Sequence, residues 1–566
     1  MSCSCGFRTS RYCGVLLAAA LVCISNEAVR AQSQPADSGR SAPRPSDLPP
    51  GVGEDTPVHP VDKTSGPWQT RLGPPAPAPQ PDSANLLPAP AQPPLDLETI
   101  KQMIREELKA EEEKKTTAHW WTAGSDLKLD SFVRNGFVAE TADKAFRFHF
   151  GGRLEFDNAW FHQDHNLLIG SSPTTTLQDG SDFRRARLRA DGLAWGFIEF
   201  VAEVNFANIQ DVSNVNNSSV PVGSVGLTEF YVGFRDIPLA GNVQIGHFIA
   251  PYGLERYTGS NEWYYMERSS LYDAFFNPND FQNGVILFNS YLDDRMTAAG
   301  SLTRVGKATV DSFGFGAENG QYAAGIRLTG LPIYRDDGRV LMHVGVDYFH
   351  QALSGHTFAA ANRMPLRAGG GSDQIPNLLA TGNFFTPHGG DVLDFEWAFV
   401  NGPFAVSAEY GLAWVTDVFD NFNGVTFSGP RGNVTYQAFY VESGYFLTPG
   451  DGRRYDKKTG TWARTVPEEN AFVTRGEDGA WCHGHGAVQL LARYSYLDLV
   501  SGSPALTPTS GGARAGRQQD VTLGVNWYLN PQTIISCNYV WTHLDSVVAG
   551  ASGNIQGVGV RIHFDF

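Results

Sequence analysis

The sequence predicts an all-β protein: a closed, 16-stranded antiparallel transmembrane β-barrel, preceded by a Pro-rich linker and a short coiled-coil helix. Three observations carry this reading. Apolar and polar residues alternate on stretch after stretch from Trp120 to Phe566, with little sign of a second layer to cover the apolar rows. The alternating stretches mostly run 9–15 residues, a length that crosses a bilayer at a tilt. The chain then ends on an alternating aromatic strand, Asn554 to Phe566. In lipid only helices and closed barrels satisfy every backbone polar group.

Composition narrows the function classes. The formal net charge of -16 (43 Lys+Arg against 59 Asp+Glu) leaves no basic excess to neutralise phosphates, so no nucleic-acid partner is expected. A mean hydropathy of -0.24 argues against a helical membrane protein. The 61 glycines and 12% aromatic residues suit many strands and tight turns.

Residues 1–31 read as a signal peptide. Arg8 and Arg11 lead into the apolar run Gly14–Ile24, and Val29-Arg30-Ala31 places small residues for cleavage before Gln32. That run is too short to span a bilayer as a helix. Val22 argues against a lipoprotein site at Cys23. After export only Cys482 and Cys537 of the six cysteines remain. They fall two strands apart at different heights and are expected not to pair.

Residues 32–94 hold 17 of the 33 prolines and no hydrophobic period, the composition of an extended spacer without a packed core. Residues 95–116 differ sharply. Leu97, Ile100, Ile104 and Leu108 form one stripe of a helix about 30 Å long. A short coiled coil that assists assembly and a solvated helix resting on another surface both fit that stripe.

The barrel domain, 120–566, is read strand by strand. In FRFHFGGRLEFDNAWF, Phe146, Phe148, Phe150, Leu154, Phe156 and Trp160 take one face, and Arg147, His149, Arg153, Glu155 and Asp157 the other. Continued along the chain, the same alternation gives spans at 146–161, 182–194, 197–210, 227–236, 242–250, 280–291, 296–305, 321–331, 339–352, 391–400, 404–416, 433–448, 486–499, 519–529, 532–546 and 554–566. Short links such as Trp195-Gly196, Asn401-Gly402-Pro403 and Asn530-Pro531 read as turns at one rim, and the longer segments as loops at the other. The link Pro449 to Gly486 breaks that rule, being long on the turn side.

The stretch FRRARLRADG puts Arg185, Arg187, Arg189 and Asp191 on one strand face and Ala186, Leu188 and Ala190 on the other. Facing a water-filled lumen, arginine stays solvated; facing lipid it costs about 2–4 kcal/mol at the midplane. The same parity turns Arg147, Arg153, Arg327, Arg493 and Arg561 inward. Glu155, Asp157, Glu199, Glu203 and Glu229 share that face, so two readings stand. The arginines form a row of weak anion sites, or they pair with carboxylates to build the wall. From Trp120 onward 31 Lys+Arg face 45 Asp+Glu.

FRRARLRADG (183–192), IGHFIAPYGLERYTGSNEWYYMERS (245–269), GYFLTPGDGRRYDKKTGTWAR (444–464), LLARYSYLDL (490–499) and VTLGVNWYLNPQTIISCNYV (521–540) resemble the phosphate-selective porin O/P family, in chain order across most of 146–566. The resemblance implies a bacterial outer-membrane location and a homotrimer of sixteen-stranded barrels in outer-membrane lipid; it does not cover the linker and helix, which the strand count places on the periplasmic side. It also implies a third outer loop folded into the pore and arginines that guide anions inward. The loop would be 250–279, with Glu255, Arg256, Glu262, Glu267 and Arg268 at the constriction. The anion-binding lumen set would be Arg153, Arg185, Arg187, Arg189, Arg327 and Arg493. Only Lys128, Lys144, Lys307, Lys457 and Lys458 follow Trp120, none in that loop, where phosphate-selective members carry lysine.

The expected function is passive diffusion of small hydrophilic solutes, anions such as phosphate or polyphosphate. A non-selective general porin is the nearest alternative; an envelope-tethering barrel and a barrel enzyme belong to other classes. No catalytic residue, cofactor or metal is expected. Cys482, His483 and His485 in WCHGHG match no common zinc spacing, and no GxSxG nucleophile element occurs.

Overall fold

A computed structural model describes residues 129–566 apart from residues 134, 166, 168–176, 208–224, 239, 277–280, 305–321, 353–355, 368–375, 476–480, 501–514 and 548–551; of residues 473–475 and 481–483 it describes the backbone alone. The signal peptide, linker and helix expected at 1–116 lie outside the described residues, as does the Cys482 side chain.

Sixteen long strands form one closed antiparallel sheet. They are β1 (Arg147–Gln163), β2 (Gly180–Ala194), β3 (Ile198–Asn205), β4 (Gly226–Ile237), β5 (Gly241–Ile249), β6 (Phe281–Tyr291), β7 (Met296–Arg304) and β8 (Tyr322–Arg335), then β9 (Val340–Gln351), β10 (Gly390–Asn401), β11 (Phe404–Phe422), β12 (Phe427–Phe446), β13 (Ala487–Asp498), β14 (Gly516–Asn530), β15 (Thr533–Ser546) and β16 (Gly553–Asp565). Each pairs antiparallel with the next in sequence. Closure comes from β16 on β1, in register from Ile555↔Gln163 to Asp565↔Arg153. The expected count of sixteen is therefore borne out. A short hairpin, Asp130–Val133 with Phe137–Glu140, continues the sheet beside the first residues of β1, which the sequence reading did not anticipate.

Two expected boundaries are corrected. The outer loop expected at 417–432 is mostly sheet, because β11 and β12 continue pairing to Phe422↔Phe427 through bulges at Val415/Val418 and Val418/Phe419. The bulges break the period-two pattern that marked the strand end. The turn is closed by Asn423, whose Oδ1 accepts from the N–H groups of Val425 and Thr426 at 3.0 and 2.8 Å. The span expected at 197–210 ends at Asn205.

The molecule is apolar outside and polar within. Leu302, Ile326 and Ile562 are more than half exposed, whereas Glu155, Asp394 and Arg327 are 0–2% exposed. A soluble fold would reverse this; a lipid belt requires it. Leu328 stands mid-strand on β8, opposite Ala298 and Val346, and points outward. Leu328→Arg is expected to cost about 2–4 kcal/mol in reversible refolding into lipid vesicles. An unchanged unfolding midpoint would contradict the outward assignment.

Candidate functional site

The inward row of β2 owes its chemistry to a bulge. β1 and β2 pair Glu155↔Arg185 and then Phe156↔Phe183, so Arg184 is the extra residue. Phe183 stays with Phe156, ring edge against ring face at 5.2 Å. Arg184 joins Arg185 on the inner side and binds the Glu267 carboxylate through Nε and Nη2 at 2.6 and 3.1 Å. Simple alternation had left Arg184 off that face.

Each neighbouring arginine has a carboxylate partner. Arg185 donates to Glu155 at 2.5 Å, Arg187 to Glu203 at 2.9 Å, and Arg189 to Glu229 at 2.5 Å and Asp191 at 3.0 Å. Arg153 reaches Asp565 at 3.1 Å and Ser260 at 2.5 Å. Arg561 forks onto Asp157 with two bonds of 2.7 Å. Further arginines come from the segment between β9 and β10. Arg363 and Arg367 converge on Asp273, at 3.3 and 2.9 Å.

Depth separates the two charges. The side chains of Arg153, Arg184, Arg187, Arg363 and Arg367 keep 13–18% of their surface, while those of Glu155, Asp157, Glu203, Glu267, Asp273 and Asp565 keep 0–8%. The guanidiniums therefore form the wetter layer, with the carboxylates behind them. Arg189 is the exception, since Asp191 and Glu229 are as exposed as it is.

Residues 250–276 pack against the inner wall. Met266 N donates to Asn538 at 2.8 Å, Ser270 Oγ to Asp520 at 2.5 Å, and Asn526 to the Tyr264 carbonyl at 2.7 Å, all three wall residues lying on β14 and β15. On the far wall, Gly253 N donates to Asp347 at 3.0 Å and Glu255 N to Glu409 at 2.9 Å. One helical turn, Leu254–Tyr257, follows that anchor. Met266 and Leu366 sit against β16, where a β-carbon on Gly559 would come within 2.3 Å of Leu366. Burial works against the charged form of Glu267, but Arg184, Arg367 and Arg561 hold its carboxyl well below the usual range. Burial pushes the Glu262 carboxyl up.

The long turn-side link also has a place. The hairpin Arg454–Asp456 with Thr461–Ala463 leaves β12 and reaches β7 and β8. A β-carbon on Gly460 would meet Thr329 Oγ1 at 2.7 Å and Thr297 Oγ1 at 3.0 Å. Arg327 donates to the Gly460 carbonyl at 2.8 Å, and Lys457 to that of Asp293 at 2.8 Å.

The expected residues thus divide. Arg153, Arg187 and Arg189 reach solvent on the inner face. Arg185, Arg327 and Arg493 point inward as parity required, but are buried: Arg185 under Trp263, Arg327 between Glu396 and the hairpin, Arg493 between Tyr265 and Glu255. They hold the wall and the loop together. Arg256 and Arg268 are buried within the loop, Arg268 4.0 Å from the rings of both Trp263 and Tyr272. The Glu255 carboxylate accepts from Ser269.

The model of the family described as phosphate-selective porin O and P matches residues 156–566. The chain belongs to that family. It is an outer-membrane porin, and its fold and family are those of a channel. Porin O of Pseudomonas aeruginosa is 27% identical over 460 residues, covering 79% of this chain and 94% of that protein. Among solved structures, the outer-membrane channel DcaP of Acinetobacter baumannii is 13% identical with a TM-score of 0.42, covering 75% of this chain and 99% of that one. An anion-selective porin from Comamonas acidovorans is 12% identical with a TM-score of 0.42, covering 74% and 100%.

Within this porin, sequence reasoning missed Arg184, Arg363, Arg367 and Arg453. The anomalous length of the link 449–486 and the family-like stretch 444–464 were the signals for Arg453, which lies 3.9 Å over the Tyr264 ring and donates to the Glu262 carbonyl.

Proposed function

We propose that this porin conducts small anions preferentially and takes phosphate as a preferred one, along Arg363, Arg367, Arg184, Arg187, Arg153 and Arg189. The observation that carries the reading is the depth difference, which holds at all of these but Arg189: guanidiniums stand in front of their carboxylates. An anion meets the forks first, and a fork holds two oxygens of a phosphate. Several such sites in sequence let an ion enter and leave without a deep trap. Charge in a low-dielectric channel raises the local anion concentration, so transport follows the external gradient with no chemical step.

In this reading residues 250–276 and the hairpin 454–463 narrow the lumen that sixteen strands otherwise leave open. Arg185, Arg327, Arg493, Arg256 and Arg268 position those inserts. The protein acts as a homotrimer, exported by residues 1–31, with residues 32–116 in the periplasm as spacer and helix. The equal exposure of Arg189, Asp191 and Glu229 favours a second reading, a general porin with weak preference.

Phosphate titrated against chloride current through single channels tests the proposal. The expected result is saturable block at phosphate concentrations far below that of chloride. Additive currents without block would leave the general porin.

A further inference from the structure

We propose that the inner wall of this porin carries a calcium site formed by Asp347, Asp394 and Glu396, which pins the stem of the loop 250–276 to β9–β11. Two rungs of the sheet set carboxylates directly opposite each other: Asp347↔Asp394 between β9 and β10, and Glu396↔Glu409 between β10 and β11. Asp394 and Glu396 stand two apart, so all four point to the same side of the sheet. Like charges directly across a rung destabilise a sheet, and here two adjacent rungs do so.

All four carboxylates are 0–3% exposed, so water does not relieve the repulsion. The charges around them do not cancel it. Arg327 is the guanidinium in the cluster, bound to Glu396 at 2.6 and 2.7 Å. His343 Nε2 also meets Glu396, at 2.9 Å, and is cationic only if protonated. Glu409 accepts from the backbone N–H groups of Leu254 and Glu255 and, at 2.5 Å, from the Tyr440 hydroxyl. Asp347 Oδ2 accepts from Gly253. Four carboxylates face one guanidinium there, so unless they share protons their charge is not cancelled.

A separate observation points to a ligand. Both Asp394 oxygens and Asp347 Oδ1 are fully buried and have no hydrogen-bond donor. Buried carboxylate oxygens without donors are costly unless a cation meets them. One oxygen from each of Asp347, Asp394 and Glu396 lies within 4.8 Å of the others. Oxygens that close together can share one ion, and calcium tolerates an irregular oxygen shell where magnesium demands a near-ideal octahedron. An all-oxygen, all-carboxylate donor set selects a hard cation over zinc or copper. No spacing in the sequence announces the site, because Asp347 comes from a different strand than Asp394 and Glu396.

The test uses full-length chain refolded without lipopolysaccharide, stripped with chelator and dialysed against radioactive calcium. Wild type is expected to bind one calcium per chain saturably. Asp394→Asn, nearly the same shape, is expected to weaken binding at least about tenfold. Asp347→Asn serves if that variant does not fold. Calcium added to stripped wild type is expected to raise the thermal unfolding midpoint, and to raise it less in the variant. Wild type that binds no calcium at millimolar concentration overturns the proposal. So does equal binding by wild type and either folded variant. A rise in thermal stability of Asp394→Asn in chelator, without calcium binding by wild type, would mean that shared protons relieve the cluster instead.

Discussion

Arg153→Gln together with Arg187→Gln is expected to lower the chloride-over-potassium permeability ratio roughly tenfold and to carry the zero-current potential toward the cationic side. Glutamine retains an N–H donor for Glu203 and Asp565 while removing two charges from the wetter layer. The carboxylates behind then dominate that stretch of the lumen. Arg327→Gln makes the matching control. Arg327 is 2% exposed and bound by both oxygens of Glu396, so its charge is spent inside the wall. Removing it is expected to cost about 3–5 kcal/mol of stability by stranding a buried carboxylate, with little change in selectivity in the protein that folds. If the two variants shift selectivity equally, exposure is not what assigns the conducting arginines.

Removal of residues 452–484, with the ends joined by a short Gly-Ser turn, is expected to raise single-channel conductance roughly twofold or more. The strands on either side stay paired, since Phe446 faces Gln489. What leaves is the hairpin that reaches from β12 to Thr297, Thr329 and Arg327 on β7 and β8. The arginines of β1 and β2 remain, and Asp565, which loses Arg464, keeps Arg153, so anion preference is expected to survive. Unchanged conductance in folded protein would place the hairpin outside the ion path.

The strands were legible because a lipid-facing sheet imposes a strict period of two. Phe148, Phe150, Leu154 and Trp160 are exposed on one face of β1, and Arg153, Glu155 and Asp157 lie on the other, as the alternation requires. Parity reports a face, however, and not what stands in front of it. Arg187 and Arg327 look alike in sequence. One reaches solvent beside Glu203, and the other is capped by carbonyls from a hairpin more than a hundred residues away. Arg184 was lost for a local reason, since a single bulge inverts the parity beyond it. Arg363 and Arg367 sit in an irregular segment that has no period to read, and only their meeting with Asp273 identifies them. The long loop 250–279 was expected to fold inward on resemblance, and its bonds to Asn538, Asp520 and Glu409 account for how it is held.

Part-exposed guanidiniums, backed by more deeply buried carboxylates, are expected to make the lumen attract anions despite the chain's net negative charge. The most direct test is the zero-current potential of purified wild-type protein in a planar bilayer separating concentrated from dilute potassium chloride. A potential near the chloride equilibrium value is the expected result. A potential near that of potassium would mean that Asp191, Glu229 and their neighbours set the field, and would contradict the account.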